Sequence, residues 1–255
     1  MRVTPLPISF QSRGKTLRGV LYVPVKYTSA VVLLHGFPGD SSGGTDRRAR
    51  MLARAGFLAL RFDFTGCGMS DGKHEERLMS GDVKDTRAAI DYLCAHAEFD
   101  KLVLLGHSTG AIDAALYAHT DKRVDAIIIS AGVADLKRGV TYEFTSKQVT
   151  DFRSRGFTKT PWLMEWSGKR ERIVKAFYDE FFTLNIAAAL KKFHKPVLII
   201  HGDKDEAVPV TEAHELYALA NKPKKFIIIK GADHRFQKKA AAYGRELSTF
   251  LKTVR

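Results

Sequence analysis

Cysteine is nearly missing from this chain: only Cys67 and Cys94 occur among 255 residues. Two thiols cannot build a disulfide framework, and no cysteine-histidine cluster with zinc-ligand spacing accompanies them. Cys94 falls in a stretch that reads as helix, 82–97, and is expected to be a core thiol rather than a reactive one. No apolar run approaches the roughly 20 residues that span a bilayer. The N-terminal residues lack the apolar segment of a signal peptide. These absences lead to the expectation of a cytoplasmic protein with no integral membrane association. Internal repeats and low-complexity tracts are missing as well. Acid is scarce, 28 Asp and Glu against 41 Lys and Arg, for a net charge of +13. That excess raises a nucleic-acid reading. The basic pairs Arg47-Arg48, Lys137-Arg138, Lys169-Arg170, Lys191-Lys192, Lys224-Lys225 and Lys238-Lys239 are, however, scattered through the chain. No nucleic-acid motif accompanies them, so the charge reads as a solvated basic surface, with attraction of anionic substrates or membrane surfaces as the second reading.

What is present is a regular alternation. Hydrophobic residues make up 45% of the chain, enough for one large core at this length. Strands are expected at 17–23, 30–35, 57–62, 101–106 and 124–130, and again from Pro196 and at 224–230. Helices are expected at 45–55, 82–97, 108–119, 210–220 and 237–252. Strands separated by helices imply an α/β fold with a mostly parallel central sheet and helices on both faces. The rhythm breaks between Asp135 and Lys195, giving a core of 1–134 and 196–255 with 135–195 inserted. A connection that long inside a compact unit carries its own structure or a function, and it is read as a helical cap. Its aromatics include Phe144, Phe152, Phe157, Trp162, Trp166, Phe177, Tyr178, Phe181 and Phe182. Individually most of them serve to pack the cap, and together they suggest an apolar or aromatic pocket.

Gly106-His107-Ser108-Thr109-Gly110 follows an apolar strand and opens a helix, which is the setting of a nucleophile elbow. The flanking glycines leave room where a Cβ would strike the turn or the neighbouring strand. Ser108 is therefore the candidate nucleophile. Gly68-Met69-Ser70-Asp71-Gly72 matches the same pattern but lies in a polar glycine-rich loop with no helix behind it. Ser70 reads as a loop serine or a helix cap.

A serine hydroxyl needs a base, and the base needs an acid to orient it. Most of the nine histidines have no constellation around them: His74, His96, His119, His194 and His214 are of this kind. His107 adjoins the nucleophile but points away in a tight turn, and His35 and His201 end strands and hold loops. His234 alone follows a late acidic loop by one strand and is the candidate base. That loop offers both Asp203 and Asp205, and Asp135 lies after the strand at 124–130 as an outside choice. The transition state of acyl transfer also needs donors for an oxyanion. The amides of Phe37, in His35-Gly36-Phe37-Pro38-Gly39, and of Thr109, directly after the nucleophile, are placed to supply them.

With these residues in view, the chain resembles an α/β-hydrolase. It is most similar to small carboxylesterases, cinnamoyl and feruloyl esterases, and serine aminopeptidase-like hydrolases. The matching pieces are His35-Gly36-Phe37, Asp63-Phe64-Thr65-Gly66-Cys67-Gly68-Met69-Ser70, Gly106 to Gly110, His201-Gly202-Asp203-Lys204-Asp205 with Val208-Pro209, and Gly231-Ala232-Asp233-His234. The resemblance is silent between 135 and 195. It implies Asp205 as the acid, with Asp203 shaping the loop. It implies hydrolysis of a small-molecule carboxylic ester through an acyl-enzyme, without cofactor or metal. A homodimer is compatible with the sequence. The alternatives are an aminopeptidase or amidase, a cofactor-free perhydrolase on the same triad, and a non-catalytic ligand receptor. An aminopeptidase needs an acidic pocket for the substrate's ammonium group, and a basic cap argues against it. Receptors on this scaffold tend to lose a triad member, and none is missing here.

Overall fold

The computed structural model describes residues 2–159 and 172–254. Trp162, Leu163, Met164, Trp166 and the pair Lys169-Arg170 lie outside the described residues. The chain runs β1 (Val3–Ser12), β2 (Lys15–Pro24), β3 (Ser29–Leu34), α1 (Gly44–Arg54), β4 (Leu58–Phe62), a single 3-10 turn (His74–Glu76), α2 (Met79–His96), β5 (Lys101–His107), α3 (Thr109–Ala118) and β6 (Val124–Ser130). Within 135–195 follow α4 (Leu136–Glu143), α5 (Ser146–Arg155), β7 (Phe157–Lys159), β8 (Arg172–Val174), α6 (Lys175–Thr183) and α7 (Ile186–Lys192). β9 (Val197–Gly202), α8 (Val210–Leu219), β10 (Lys224–Ile229) and α9 (Ala240–Leu251) close the chain.

The main sheet has eight strands in the order β1-β2-β4-β3-β5-β6-β9-β10. The pairs β1/β2 and β2/β4 are antiparallel, and every pair from β4 to β10 is parallel. The central strands are apolar on both sides because both faces are covered. Val32, Leu34, Leu102, Leu104, Ile127 and Ile129 join the core under α2, α3, α7 and α8. Val31, Leu33, Val103, Leu105, Ile128 and Ile200 join the core under α1 and α9. This is the period-2 alternation of a pleated strand buried twice. Each such side chain contributes about 1.5–3 kcal/mol relative to exposure.

This arrangement confirms the expected α/β architecture and corrects it locally. β1 was absent from the expected strands. Pro5 and Pro7 argue against a central strand, and β1 is indeed an edge strand, paired on one side only. Cys94 is exposed rather than a core thiol, while Cys67 is buried. Helix α2 turns Met79, Asp82, Thr86, Ala89, Ile90 and Leu93 inward, and a residue directly after Leu93 sits about 100° further round the helix. The described residues of the segment 135–195 are largely helical, but they also contain the antiparallel ribbon β7/β8. Its last helix, α7, packs on α3 and α8. Within it, α5 is bounded by local chemistry. Thr145 and Gln148 form a capping box at the start, and Gly156 ends the helix with φ +76°. Among the described residues, no helix is long and apolar enough to cross a membrane.

Candidate active site

The β3 and β5 strands are neighbours, with Leu34 opposite Gly106, yet the chain leaves them in opposite directions. α1 covers one face of the sheet and α3 the other. Such a switch point opens a crevice beyond the carboxyl ends of the strands. The loop after β3 and the turn after β5 both enter it.

Ser108 holds that turn with φ +57° and ψ −124°, a left-handed conformation that costs a non-glycine residue about 1–2 kcal/mol. The surrounding backbone maintains it. The Ser108 N–H donates to the Ser130 carbonyl at 3.0 Å. A Cβ on Gly106 would meet the Gly110 carbonyl, and one on Gly110 would meet the Leu34 carbonyl. Close passage of three backbone segments thus requires both glycines. A Cβ on Gly36 would lie 3.0 Å from the Ser108 Cβ, so the β3 loop adjoins Ser108 directly.

His234 stands after β10, with Nδ1 at 2.8 and 3.0 Å from the two Asp205 carboxylate oxygens. Its ring centre is 5.0 Å from that of His107, the residue preceding Ser108. The elbow and the histidine loop are therefore in contact. Asp205 is fully buried. Its carboxylate accepts from the amides of Ala207 and Val208 at 2.9 and 2.8 Å and faces His201 Nε2 at 3.1 Å. Burial alone raises a carboxyl pKa, but the hydrogen bonds from His201 and His234 overrule it and hold Asp205 well below the usual carboxylate range. Asp205 is ionised and acceptor-only, so His234 Nδ1 carries the proton in this contact and Nε2 is the acceptor nitrogen.

The other expected residues separate cleanly. Asp203 caps a neighbouring turn by accepting from the Gly231 amide. Asp135 caps α4, accepting from the Lys137 amide at 2.9 Å. The Ser70 hydroxyl is committed to Asp63 and Arg18 backbone atoms. Ser70 and Asp135 thus have structural work elsewhere. His107 is buried against His234 and Phe236, and burial, with the nearby charge of Arg48, keeps its pKa well below the ordinary histidine value. It is a neutral platform under His234. The contact of His201 with Asp205 had no sequence signal beyond the expectation that His201 holds a loop.

The two expected oxyanion donors are the amides of Thr109 and Phe37. Thr109 is the first residue of α3, where N–H groups lack intrahelical partners and the helix dipole favours negative charge. Phe37 follows Gly36, whose carbonyl accepts from His35 Nδ1 at 2.9 Å. His35 Nε2 accepts from the Phe64 amide at 3.2 Å, which fixes Nδ1 as the protonated nitrogen. Burial, reinforced by Arg77, pushes the His35 pKa down to about 3, so the imidazole is neutral and keeps that tautomer. The Phe37 ring stacks on Phe177 of α6, centres 4.6 Å apart. Phe144, Phe152, Tyr178 and Phe181 pack against one another beyond it. Among the described residues no cluster of His, Cys, Asp and Glu could hold a metal ion.

The same architecture recurs in solved structures. Est1E from Butyrivibrio proteoclasticus, in a structure with ferulic acid bound, superposes with a TM-score of 0.83 at 22% identity, over 97% of this chain and 98% of that one. The bifunctional esterase/perhydrolase DCH of Acinetobacter calcoaceticus is 27% identical over 256 aligned residues, 86% of this chain and 90% of that protein. The protein YfhR of Salmonella typhi is 26% identical over 220 residues, 83% of this chain. The chain spans less than two thirds of the length of the first curated relatives it matches, 66% of YfhR and 62% of a Mycobacterium tuberculosis protein. A family model described as serine aminopeptidase, S33, matches residues 26–180, more than half of the chain and inclusive of the β3 loop and the elbow. With this match added to the sheet order and the strained serine turn, the chain belongs to the serine aminopeptidase S33 family of α/β hydrolases.

Proposed function

We propose that this chain is a serine carboxylesterase working through Ser108, His234 and Asp205. Ser108 Oγ attacks the ester carbonyl while His234 Nε2 takes its proton. The tetrahedral oxyanion accepts from the Phe37 and Thr109 amides. Collapse expels the alcohol, which receives the proton from His234, and leaves an acyl group on Ser108. Water then repeats the cycle and frees the acid. Asp205 holds the imidazole tautomer and stabilises the imidazolium. No step calls for a cofactor or metal.

The observation that carries this reading is the pair of contacts around His234: Nδ1 on the buried Asp205 at 2.8 Å, and its ring against the residue preceding Ser108. Residues 135–195 are proposed to act as a cap, since Phe177 reaches down to the Phe37 ring. An apolar or aromatic acyl pocket is supported by that stack and by the ferulic acid bound to Est1E. The protein is proposed to act in the cytoplasm, where its two free thiols stay reduced. A second reading, perhydrolysis, is favoured by the Acinetobacter relative's name. It uses the same acyl-enzyme with hydrogen peroxide in place of water.

The test is turnover of aryl esters of graded acyl length, hydroxycinnamate methyl esters and aminoacyl anilides, with peracid formation followed in peroxide. Ester cleavage is expected to dominate. Ser108→Ala is expected to lower it by about three orders of magnitude or more, Ser70→Ala to leave it nearly unchanged, and a fluorophosphonate to label the Ser108 peptide. Labelling at Ser70, or full activity in Ser108→Ala, refutes the mechanism. Anilide cleavage faster than ester cleavage replaces the esterase by an amidase.

A further inference from the structure

Directly beneath the β3 loop lies a buried ionic group that the triad does not use. Arg77 sits between the 3-10 turn and α2, and its side chain is fully buried, as is that of its partner Asp82. Arg77 Nε donates to Asp82 Oδ2 at 2.9 Å. Nη1 approaches the Gly36 carbonyl at 3.4 Å. The guanidinium carbon lies 5.5 Å from the Phe37 ring centre and 5.2 Å from that of Phe64. Among the described residues, Arg77 Nη2, Asp82 Oδ1 and both carboxyl oxygens of Asp113 find no hydrogen-bond partner. Asp113 is on α3, four residues after Thr109.

Such a group is costly. A buried charge needs a partner, and a buried hydrogen-bonding atom without one costs about 1–3 kcal/mol. Apolar side chains would fill the same space without that cost. Burial and the neighbouring Asp82 push the Asp113 carboxyl well above its ordinary range. Burial opposes the Arg77 charge, but Asp82 prevails and keeps the guanidinium protonated. A guanidinium paired with one carboxylate is thus held behind the loop that carries Phe37, its Nη1 turned to the Gly36 carbonyl.

Resting on the esterase reading above, we propose that Arg77 is a positioning residue for the oxyanion donor at Phe37. The Gly36–Phe37 peptide is trans and planar, so its C=O and N–H point in opposite directions. His35 and Arg77 both hold the C=O. The Phe37 N–H is thereby aimed the other way, into the crevice beside Ser108. The guanidinium also polarises the peptide it touches, which strengthens the N–H as a donor when the oxyanion forms. Its charge acts on the transition state more than on the neutral ester, because only the former carries the oxyanion. Arg77 touches no reacting atom and works through the peptide.

Two variants keep the question open to refutation if one fails to fold. Arg77→Met combined with Asp82→Asn removes the ion pair together, so neither charge is stranded. Arg77→Lys keeps the charge but cannot reach both Asp82 and Gly36. The readouts are thermal melting, kcat and KM on a p-nitrophenyl ester, and inhibition by a trifluoromethyl ketone, which forms an oxyanion on Ser108. The double variant is expected to melt cooperatively, keep its KM, and lose about 10- to 100-fold in kcat. Its affinity for the ketone falls by the same factor. Arg77→Lys is expected to fall between it and the native chain. A folded variant with native kcat and native ketone affinity overturns the proposal. So does a variant whose KM and ketone affinity worsen equally, since that marks a general distortion. If the native chain is not labelled at Ser108 by a fluorophosphonate, the esterase reading itself fails and takes the inference with it. If the native chain is labelled and the variants match it, only the inference fails.

Discussion

The carboxylate at 205 and the one at 203 are two residues apart in a shared loop, and their environments give them different work. Asp205 is buried and receives His234, His201 and two backbone amides. Asp203 is on the surface and secures the Gly231 amide. Asp205→Asn is expected to lower kcat by about 10⁴-fold, because an amide presents an N–H where the imidazole needs an acceptor and so selects the wrong tautomer. Asp203→Asn should cost less than tenfold. The comparison is steady-state hydrolysis of one aryl ester by the two variants, and a reversed order removes Asp205 from the triad. Asp205 also bears on acid stability. Its folded pKa lies below the usual value near 3.9, so its stabilising contribution is present above about pH 4 and is lost as pH falls further. Urea melts of native chain and Asp205→Asn between pH 3 and 6 should converge toward the acid end. Parallel curves would remove the carboxylate from the acid transition.

At the level of elements, the strand-turn-helix β5–α3 and helix α6 of the proposed cap make separate contributions that can be tested apart. The elbow depends on backbone passing backbone. A methyl group at Gly110 would meet the Leu34 and His35 carbonyl oxygens, which cannot swing aside as a side chain can. Gly110→Ala is expected to destabilise by about 3 kcal/mol and to remove fluorophosphonate labelling under conditions where the chain is still folded. Native labelling in the variant would mean that the turn relaxes without moving Ser108. Helix α6 works through side chains instead. Phe177 is nearly inaccessible, at 1%, and its ring is shared between Phe37, Phe144 and Phe181. Phe177→Ala should cost about 3–5 kcal/mol. It should also raise KM for aromatic acyl esters more than for acetyl esters if the stack borders the acyl pocket. Equal KM changes for both would make Phe177 a packing residue alone.

Across the whole molecule, charge is distributed unevenly. The segment 135–195 has thirteen Lys or Arg against seven Asp or Glu, in a chain already at +13. If that excess borders the mouth of the site, anionic esters should be captured faster than neutral ones. Salt should then erase the difference, since the Debye length is about 8 Å at physiological ionic strength. Measuring kcat/KM for a matched neutral and carboxylate-bearing aryl ester at low and high salt decides this. Equal salt dependence makes the charge a solvation feature only. One acid in that segment behaves unlike the rest. Glu143, half-buried at the end of α4, has its pKa pushed up to about 7 by burial, against the opposing pull of Arg77. A carboxyl raised on folding stabilises most below its unfolded pKa, and that contribution is lost as pH rises through about 7. The native chain should therefore lose stability between pH 5 and 8 by an amount that Glu143→Gln removes. Identical pH profiles for the two chains would show that Glu143 is not buried in solution.

The α/β class, the strands of the main sheet from β2 onward, and Ser108 and His234 as candidates were legible in the sequence, while the choice of Asp205 over Asp203 came from the family resemblance. The legible parts rest on local chemistry. Apolar runs report strands buried on two faces, a glycine-flanked serine between a strand and a helix reports a tight turn, and the candidate base falls on a loop one strand after an acidic loop. Other features depend on which distant segments meet, and these emerge only when the chain is folded. β1 was not among the expected strands, and its prolines fit the edge position that the sheet gives it. Cys94 looked buried because it is on an amphipathic helix, and the outcome hinged on one residue's rotation around it. His201 reaches Asp205 only because the chain turns back after β9. The pairing of Arg77 with Asp82 and Gly36 joins three points of the chain that carry no shared motif. Burial decides that last case: an arginine in a row of polar residues reads as solvated in sequence, and becomes a paired guanidinium behind the β3 loop only when the core closes over it.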